Sequence, residues 1–222
     1  MRRNLFTRIL GRYQKAIRKI VGAQCLEDLT AAQRREMWPS ARSLEDKHIC
    51  NCRFVENRNR MLEYMPKNAV CGEVGILTCD FSKIIFETTK PSKLHLIDID
   101  NKAVEIAREK FASEIADKTV AVHQGDSAEI IAGMPENYFD WIYIDGDHSY
   151  EGVKRDLDAA RLRTKPDGMI AMNDYVFFET SGFSKYGVVE AVNEFCLDYD
   201  YEIIYFALQA RMYNDVVLRK IL

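Results

Sequence analysis

The chain has 222 residues, 47% of them apolar and 29% charged, with a formal net charge of −3. That length suits one domain with a sizeable core, and no run approaches the ~18–20 apolar residues of a membrane span. Seven cations crowd residues 1–21 (Arg2, Arg3, Arg8, Arg12, Lys15, Arg18, Lys19) without an acid; setting those seven aside from a total of −3 leaves the remainder at −10, a poor body for wrapping nucleic acid.

Residues 4–21 place Leu5, Ile9, Tyr13, Ala16, Ile17 and Ile20 at helical spacing between cations. This predicts a basic amphipathic helix. It could rest on an anionic membrane surface, pack on a second copy in a homo-oligomer, or cap its own domain. Residues 26–65 also read as helical, with a cap at Asp28-Leu-Thr30, a break at Trp38-Pro39 and a stop at Pro66. The domain reading is therefore an N-terminal helical extension over 1–65 and a ligand-binding domain over 66–222.

From residue 69 the pattern alternates. Strands are predicted at 69–74, 93–99, 119–123, 139–144 and 169–172, with helices at 79–88, 101–114, 127–132, 150–163 and 184–198. Two last strands, 201–208 and 215–221, lie too close together for a helical crossover and should pair antiparallel. Strand–helix alternation implies parallel pairing with right-handed crossovers. The expected fold is α/β: a doubly wound, Rossmann-like, seven-stranded sheet with one antiparallel strand and an N-terminal helical extension.

The turn after the first of these strands, Ala69-Val-Cys-Gly-Glu-Val-Gly-Ile-Leu-Thr-Cys-Asp-Phe-Ser82, is where such a sheet binds a nucleotide-like ligand. The spacing G-x-G-x-x-G is absent, as is a P-loop lysine. Glu73 would repel a pyrophosphate but suits a ligand with ammonium and hydroxyl groups. Gly75 would let backbone approach that ligand. Acids then recur at the strand ends: Asp98 and Asp100, Asp126, Asp145 and Asp147, and Asp174 beside Asn173. Asp98, about 20 residues beyond the turn, is placed for ribose hydroxyls. Asp126 and Ser127 are placed for an adenine amino group. Helix capping could account for Asp80, Asn101 or Ser127.

The phrase Phe139-Asp-Trp-Ile-Tyr-Ile-Asp-Gly-Asp-His-Ser-Tyr-Glu-Gly-Val-Lys-Arg-Asp-Leu157, following Glu73-Val-Gly-Ile-Leu-Thr-Cys-Asp-Phe-Ser82, resembles class I S-adenosylmethionine-dependent methyltransferases. It is most similar to small-molecule members such as macrolide-sugar O-methyltransferases and cephalosporin-hydroxylase-like proteins. Pro166-Asp-Gly-Met-Ile-Ala-Met-Asn-Asp174 is similar to their fifth-strand segment. The resemblance covers residues 69–198. It implies S-adenosylmethionine as cofactor, with Glu73 and Gly75 at its methionine end, Asp98 and Ile99 at the ribose, Asp126 and Ser127 at the adenine, and Asp145 beside it. It further implies Mg²⁺ on Asp145, Asn173 and Asp174, although position 173 is often Asp in metal-dependent relatives and Cys79 is usually Gly.

His148 and Asp145 are the expected catalytic pair, with His148 the general base for a hydroxyl acceptor. The expected activity is O-methylation of a small, sugar-like polyol, with no nucleic-acid partner. An NAD-type oxidoreductase or epimerase on the same architecture is one alternative. A non-catalytic, cofactor-binding scaffold is another. Six cysteines without framework spacing suggest reduced thiols and a cytoplasmic setting. His48-Ile-Cys50-Asn-Cys52 gives only a faint zinc signal.

Overall fold

The computed structural model describes residues 41–179, 184–209 and 213–221. The basic helix expected over 4–21 lies outside them. Residues 41–222 form one compact unit.

That unit includes 41–65, which the sequence reading assigned to a helical extension. The stretch instead supplies a 3-10 turn at Asp46–His48, a strand β1 (Arg53–Val55) and one short helix α1 (Arg58–Leu62). The correction has a local cause. Arg53, Phe54 and Val55 pair in parallel with Tyr205, Phe206 and Ala207 at the sheet edge, and three residues are too few to show a period. Asn57 then starts α1 by accepting from Arg60 N at 3.0 Å.

The alternating part follows the predicted order: β2 (Val70–Val74), α2 (Asp80–Thr89), β3 (Lys93–Asp98), α3 (Asn101–Lys110), α4 (Ala112–Ala116), β4 (Val120–Gln124), α5 (Ser127–Ala132), β5 (Phe139–Ile144), α6 (Tyr150–Arg163), β6 (Thr164–Met172), α7 (Val188–Tyr199), β7 (Tyr201–Ala207) and β8 (Asp215–Lys220). The sheet has eight strands in the order β1-β7-β8-β6-β5-β2-β3-β4. β1 is the strand added to the seven expected. β8 alone runs antiparallel, against both β6 and β7.

Side chains alternate across this sheet. On one face Cys71, Leu94, Leu96, Trp141 and Tyr143 join one core layer. On the other, Val74, Ile97, Ile142, Ile144 and Ile170 join the second, with Val153, Leu157 and Ala160 of α6. Two covered faces explain why the strands read as near-continuous apolar runs. Chain order reverses between β2 and β5, so the fold leaves its crevice beyond the carboxyl ends of those strands.

Among the described residues no helix is long and apolar enough to cross a membrane. His48 does not join Cys50 and Cys52 in a metal cluster. It is buried, with Nδ1 2.7 Å from the Tyr201 carbonyl.

Candidate active site

The strand ends are laced together just past the last paired residues. Gly75 N donates to Ile97 O at 2.9 Å, Gly125 N to Asp98 O at 3.0 Å, Asp145 N to Val74 O at 2.9 Å, and Asn173 N to Ile144 O at 3.0 Å. These bonds extend the ladder by one residue. They fix the acids of four strands along one rim.

A cleft of about 580 Å³ opens there. Of the residues expected to bind the cofactor, Gly75, Asp98, Ile99, Asp126, Ser127 and Asp145 all line it. Asp100, Asp147, Arg155 and Asp156 line it too, so among the described residues six carboxylates face one cation. Such a wall suits a ligand carrying positive charge, hydroxyls and amino groups, and opposes a pyrophosphate. The volume is that of a small-molecule site. Leu77 and Ile99 stand 77% and 74% exposed at the mouth, apolar surfaces suited to a flat ring.

Asp98 organises the turn before it could touch any ligand. Its Oδ2 accepts from Ile76 N at 2.9 Å and Leu77 N at 3.4 Å, and its Oδ1 from Asp100 N at 2.8 Å. Oδ2 is filled by its two bonds, while Oδ1 keeps a lone pair for a hydroxyl. Gly75 is required for a different reason than expected. It lies at φ +79°, and a Cβ there would fall 1.8 Å from the Asp145 carbonyl oxygen. Packing between β2 and β5 demands the glycine, whatever the ligand does.

The caps fall one residue before two of those proposed. Asp100, rather than Asn101, caps α3, and Asp126, rather than Ser127, caps α5, accepting from Glu129 N at 3.1 Å. That bond, with Arg155 Nη2 at 2.8 Å, holds the Asp126 carboxyl below its usual range.

Glu73 does not line the cleft. Strand alternation turns it to the opposite face from Val74, opposite Tyr143 in the register, and it is 2% exposed. Burial pushes its carboxyl up to about 8. Its Oε2 has no hydrogen-bond partner, and the nearby Ser82 hydroxyl lowers the carboxyl by less than burial raises it.

Asp145 joins the cleft to a second group of polar side chains. His148 Nε2 is 3.4 Å from Asp145 Oδ1 and 3.4 Å from Asp174 Oδ2. The ring stacks on Tyr186, centroids 4.6 Å apart. Burial disfavours the imidazolium, but the two carboxylates outweigh it and the His148 pKa is raised. Burial also moves Asp174 up to about 6.

The expected Mg²⁺ ligands do not fit a cation as arranged. The His148 ring stands between Asp145 and Asp174. The Asn173 amide is turned inward, donating to Tyr143 OH at 3.1 Å and to Asp215 Oδ1 at 3.0 Å. Among the described residues no set of three or more His, Cys, Asp or Glu side chains is arranged for a metal.

Sequence reasoning missed several residues here. Arg58 of α1 lies over the Phe81 ring at 4.1 Å and 4.0 Å from Asp145 Oδ2. Asp215, at the start of β8, accepts from Tyr143 OH at 2.8 Å, and burial moves it up to about 7. Neither carries a local signal, because both reach the site through tertiary pairing. Asp156 did carry one: an acid within the apolar stripe Val153, Leu157, Ala160.

Residues 69–175 match the model of a family described as a methyltransferase domain. The solved structures similar to this chain include a SAM-dependent methyltransferase from Aquifex aeolicus, at 17% identity and a TM-score of 0.53, covering 70% of this chain and 84% of that one. They also include the tRNA methyltransferase TrmK of B. subtilis, at 14% identity and TM-score 0.56, covering 75% and 66%. A third is the pyocyanin biosynthetic protein PhzM, at 14% identity and TM-score 0.54, with 70% of this chain covered and 51% of that one, so the chain spans about half of PhzM's length. No protein of curated function matches the sequence. At these identities the likeness establishes the fold, that of Rossmann-like methyltransferases.

Proposed function

We propose, from the match of residues 69–175 to a methyltransferase-domain model and from this fold, an S-adenosylmethionine-dependent O-methyltransferase acting on a small polyhydroxylated acceptor. The observation that carries the reading is the position of Asp145. It lines the cleft and also approaches His148 Nε2 at 3.4 Å, so ligand site and base adjoin.

When bound, S-adenosylmethionine supplies an electrophilic methyl group on a positively charged sulfur. Asp98 takes a ribose hydroxyl with the lone pair that its backbone bonds leave free on Oδ1. Ser127 faces the adenine, and the acid-rich wall favours the cationic end. Aligning the acceptor is the main catalytic task in such an in-line displacement. As the new C–O bond forms, His148 takes the proton of the acceptor hydroxyl through the ring nitrogen turned away from Asp145 and Asp174, since Nε2 is buried against those two carboxylates. The electrons of the broken C–S bond leave with a neutral thioether. Asp145 and Asp174 hold the ring and stabilise the imidazolium that results, as an orienting carboxylate does for a histidine base. A metal is not needed for this step.

A small acceptor is favoured over nucleic acid by charge: with the seven cations of the first 21 residues set aside, the remainder of the chain carries −10, and the cleft wall itself is acidic. The test is turnover of S-adenosylmethionine with sugars, catechols and simple phenols, with methylated product read by mass. Product carrying the methyl on oxygen, formed equally with and without EDTA, is expected. Turnover abolished by EDTA and restored by Mg²⁺ would return the role to a metal. Methylation confined to RNA would overturn the acceptor class.

A further inference from the structure

Among the described residues Asp156 is the one cleft-lining carboxylate that is almost fully buried, at 2% exposure. It occupies the apolar stripe of α6, where an acid costs stability unless it is used. Ser127 Oγ donates to Asp156 Oδ1 at 2.6 Å. A hydroxyl has a single proton, so this bond leaves Ser127 only lone pairs to offer the cleft. The other oxygen, Oδ2, lies beside Gly146, also a cleft-lining residue, 3.5 Å from where a Cβ added there would stand. This edge of the cleft therefore presents two acceptors side by side. Asp126, the acid the sequence pointed to for the base, meets Glu129 N and Arg155 through Oδ1 and lines the cleft beside this pair.

We propose that Asp156 selects the base of the bound nucleoside, by fixing the Ser127 hydroxyl as an acceptor and adding its own oxygen beside it. The inference rests on the adenosyl reading of the cleft. A purine with an amino group at position 6 donates to this edge. A 6-oxo purine sets a lone pair against lone pairs and is rejected. Burial moves the Asp156 carboxyl up to about 6, which leaves it ionised, and so an acceptor, at neutral pH. Asp156 acts through Ser127 and is a positioning residue.

The bond also ties α5 to α6, so loss of affinity alone would not separate selection from scaffolding. Base preference does. The experiment is calorimetry with S-adenosylhomocysteine and S-inosylhomocysteine on the wild type, Asp156→Asn and Ser127→Ala, each checked for folding by thermal melting. The wild type should favour the adenosyl compound by at least ~10-fold. Asp156→Asn should weaken that compound and narrow the preference, because a carboxamide can turn an N–H toward the 6-oxo group. Ser127→Ala should narrow it as well, and decides the matter if Asp156→Asn does not fold. Variants that lose affinity for both compounds equally, with the preference intact, overturn the inference. So does a wild type that binds both alike, which would leave the methyltransferase reading standing. A wild type that binds neither removes that reading and this inference together.

Discussion

His148 Nε2 stands 3.4 Å from Asp174 Oδ2, close enough for the carboxylate to favour the charged ring. A general base works in its neutral form, so the raised pKa sets where activity begins. kcat/KM should rise with pH through an inflection above the ordinary histidine value of about 6.5. Asp174→Asn removes one of the two charges that raise the pKa and should move the inflection down. His148→Gln should lower kcat by roughly 10²–10⁴ with little change in S-adenosylhomocysteine affinity. A pH profile unmoved by Asp174→Asn would show that the titrating group lies elsewhere.

Asp98 is predicted to matter twice. Its carboxylate accepts three backbone N–H groups across the β2–α2 and β3–α3 turns. Hydrogen bonds to a charged acceptor contribute about 1.5–3 kcal/mol each, so Asp98→Ala should loosen the turn and weaken S-adenosylhomocysteine by at least ~10-fold. Asp98→Asn keeps an acceptor and the shape, and should retain more of the melting temperature than of the affinity. Equal loss of both would reduce Asp98 to a turn brace. Calorimetry and melting curves on the two variants decide it.

The strands β2 to β8 were legible because both faces of the sheet are covered, which leaves unbroken apolar runs between polar turns. β1 was not, since Arg53–Val55 owes its conformation to β7, about 150 residues away. The cleft was legible for a related reason: a parallel sheet ends all its strands at one rim, so Asp98, Asp126 and Asp145 had to meet. Glu73 was misjudged because strand ends offer two directions, and alternation sends this residue behind the sheet. Arg58 and Asp215 were invisible because no local pattern announces a charge whose partner lies in another element. The metal expectation failed on geometry: spacing places Asp145, Asn173 and Asp174 together, but cannot show that a histidine ring stands between two of them.

Gly75 should tolerate no side chain. Its φ of +79° is unfavourable for other residues, and an added Cβ would meet Asp145 O at 1.8 Å. That obstacle is backbone and cannot swing aside. Gly75→Ala must push β2 and β5 apart at the point where Asp145 is held, and strain of this kind costs several times the ~1 kcal/mol of a plain glycine exchange. The expected outcome is a large loss of melting temperature, or no folded protein. A variant with wild-type melting and turnover would show that the β2–β5 contact is not fixed as described.

Glu73 should make stability depend on pH in a direction opposite to that of a paired carboxylate. Its carboxyl is pushed from 4.5 up to about 8 by burial. Below pH 4.5 the folded and unfolded chains both hold the proton. Between 4.5 and about 8 the unfolded chain releases it while the folded one retains it, so stability falls as pH rises through that window and levels off above it. At 1.36 kcal/mol per pKa unit the full effect is on the order of 5 kcal/mol. Glu73→Gln keeps the shape without the titration and should flatten the curve. The carboxamide N–H would in turn be buried beside Ser82, which costs about 1–3 kcal/mol if unsatisfied. For that reason the slope of melting temperature against pH, rather than its height, is the readout. Parallel slopes for wild type and variant would mean that burial does not raise the Glu73 carboxyl in the folded protein.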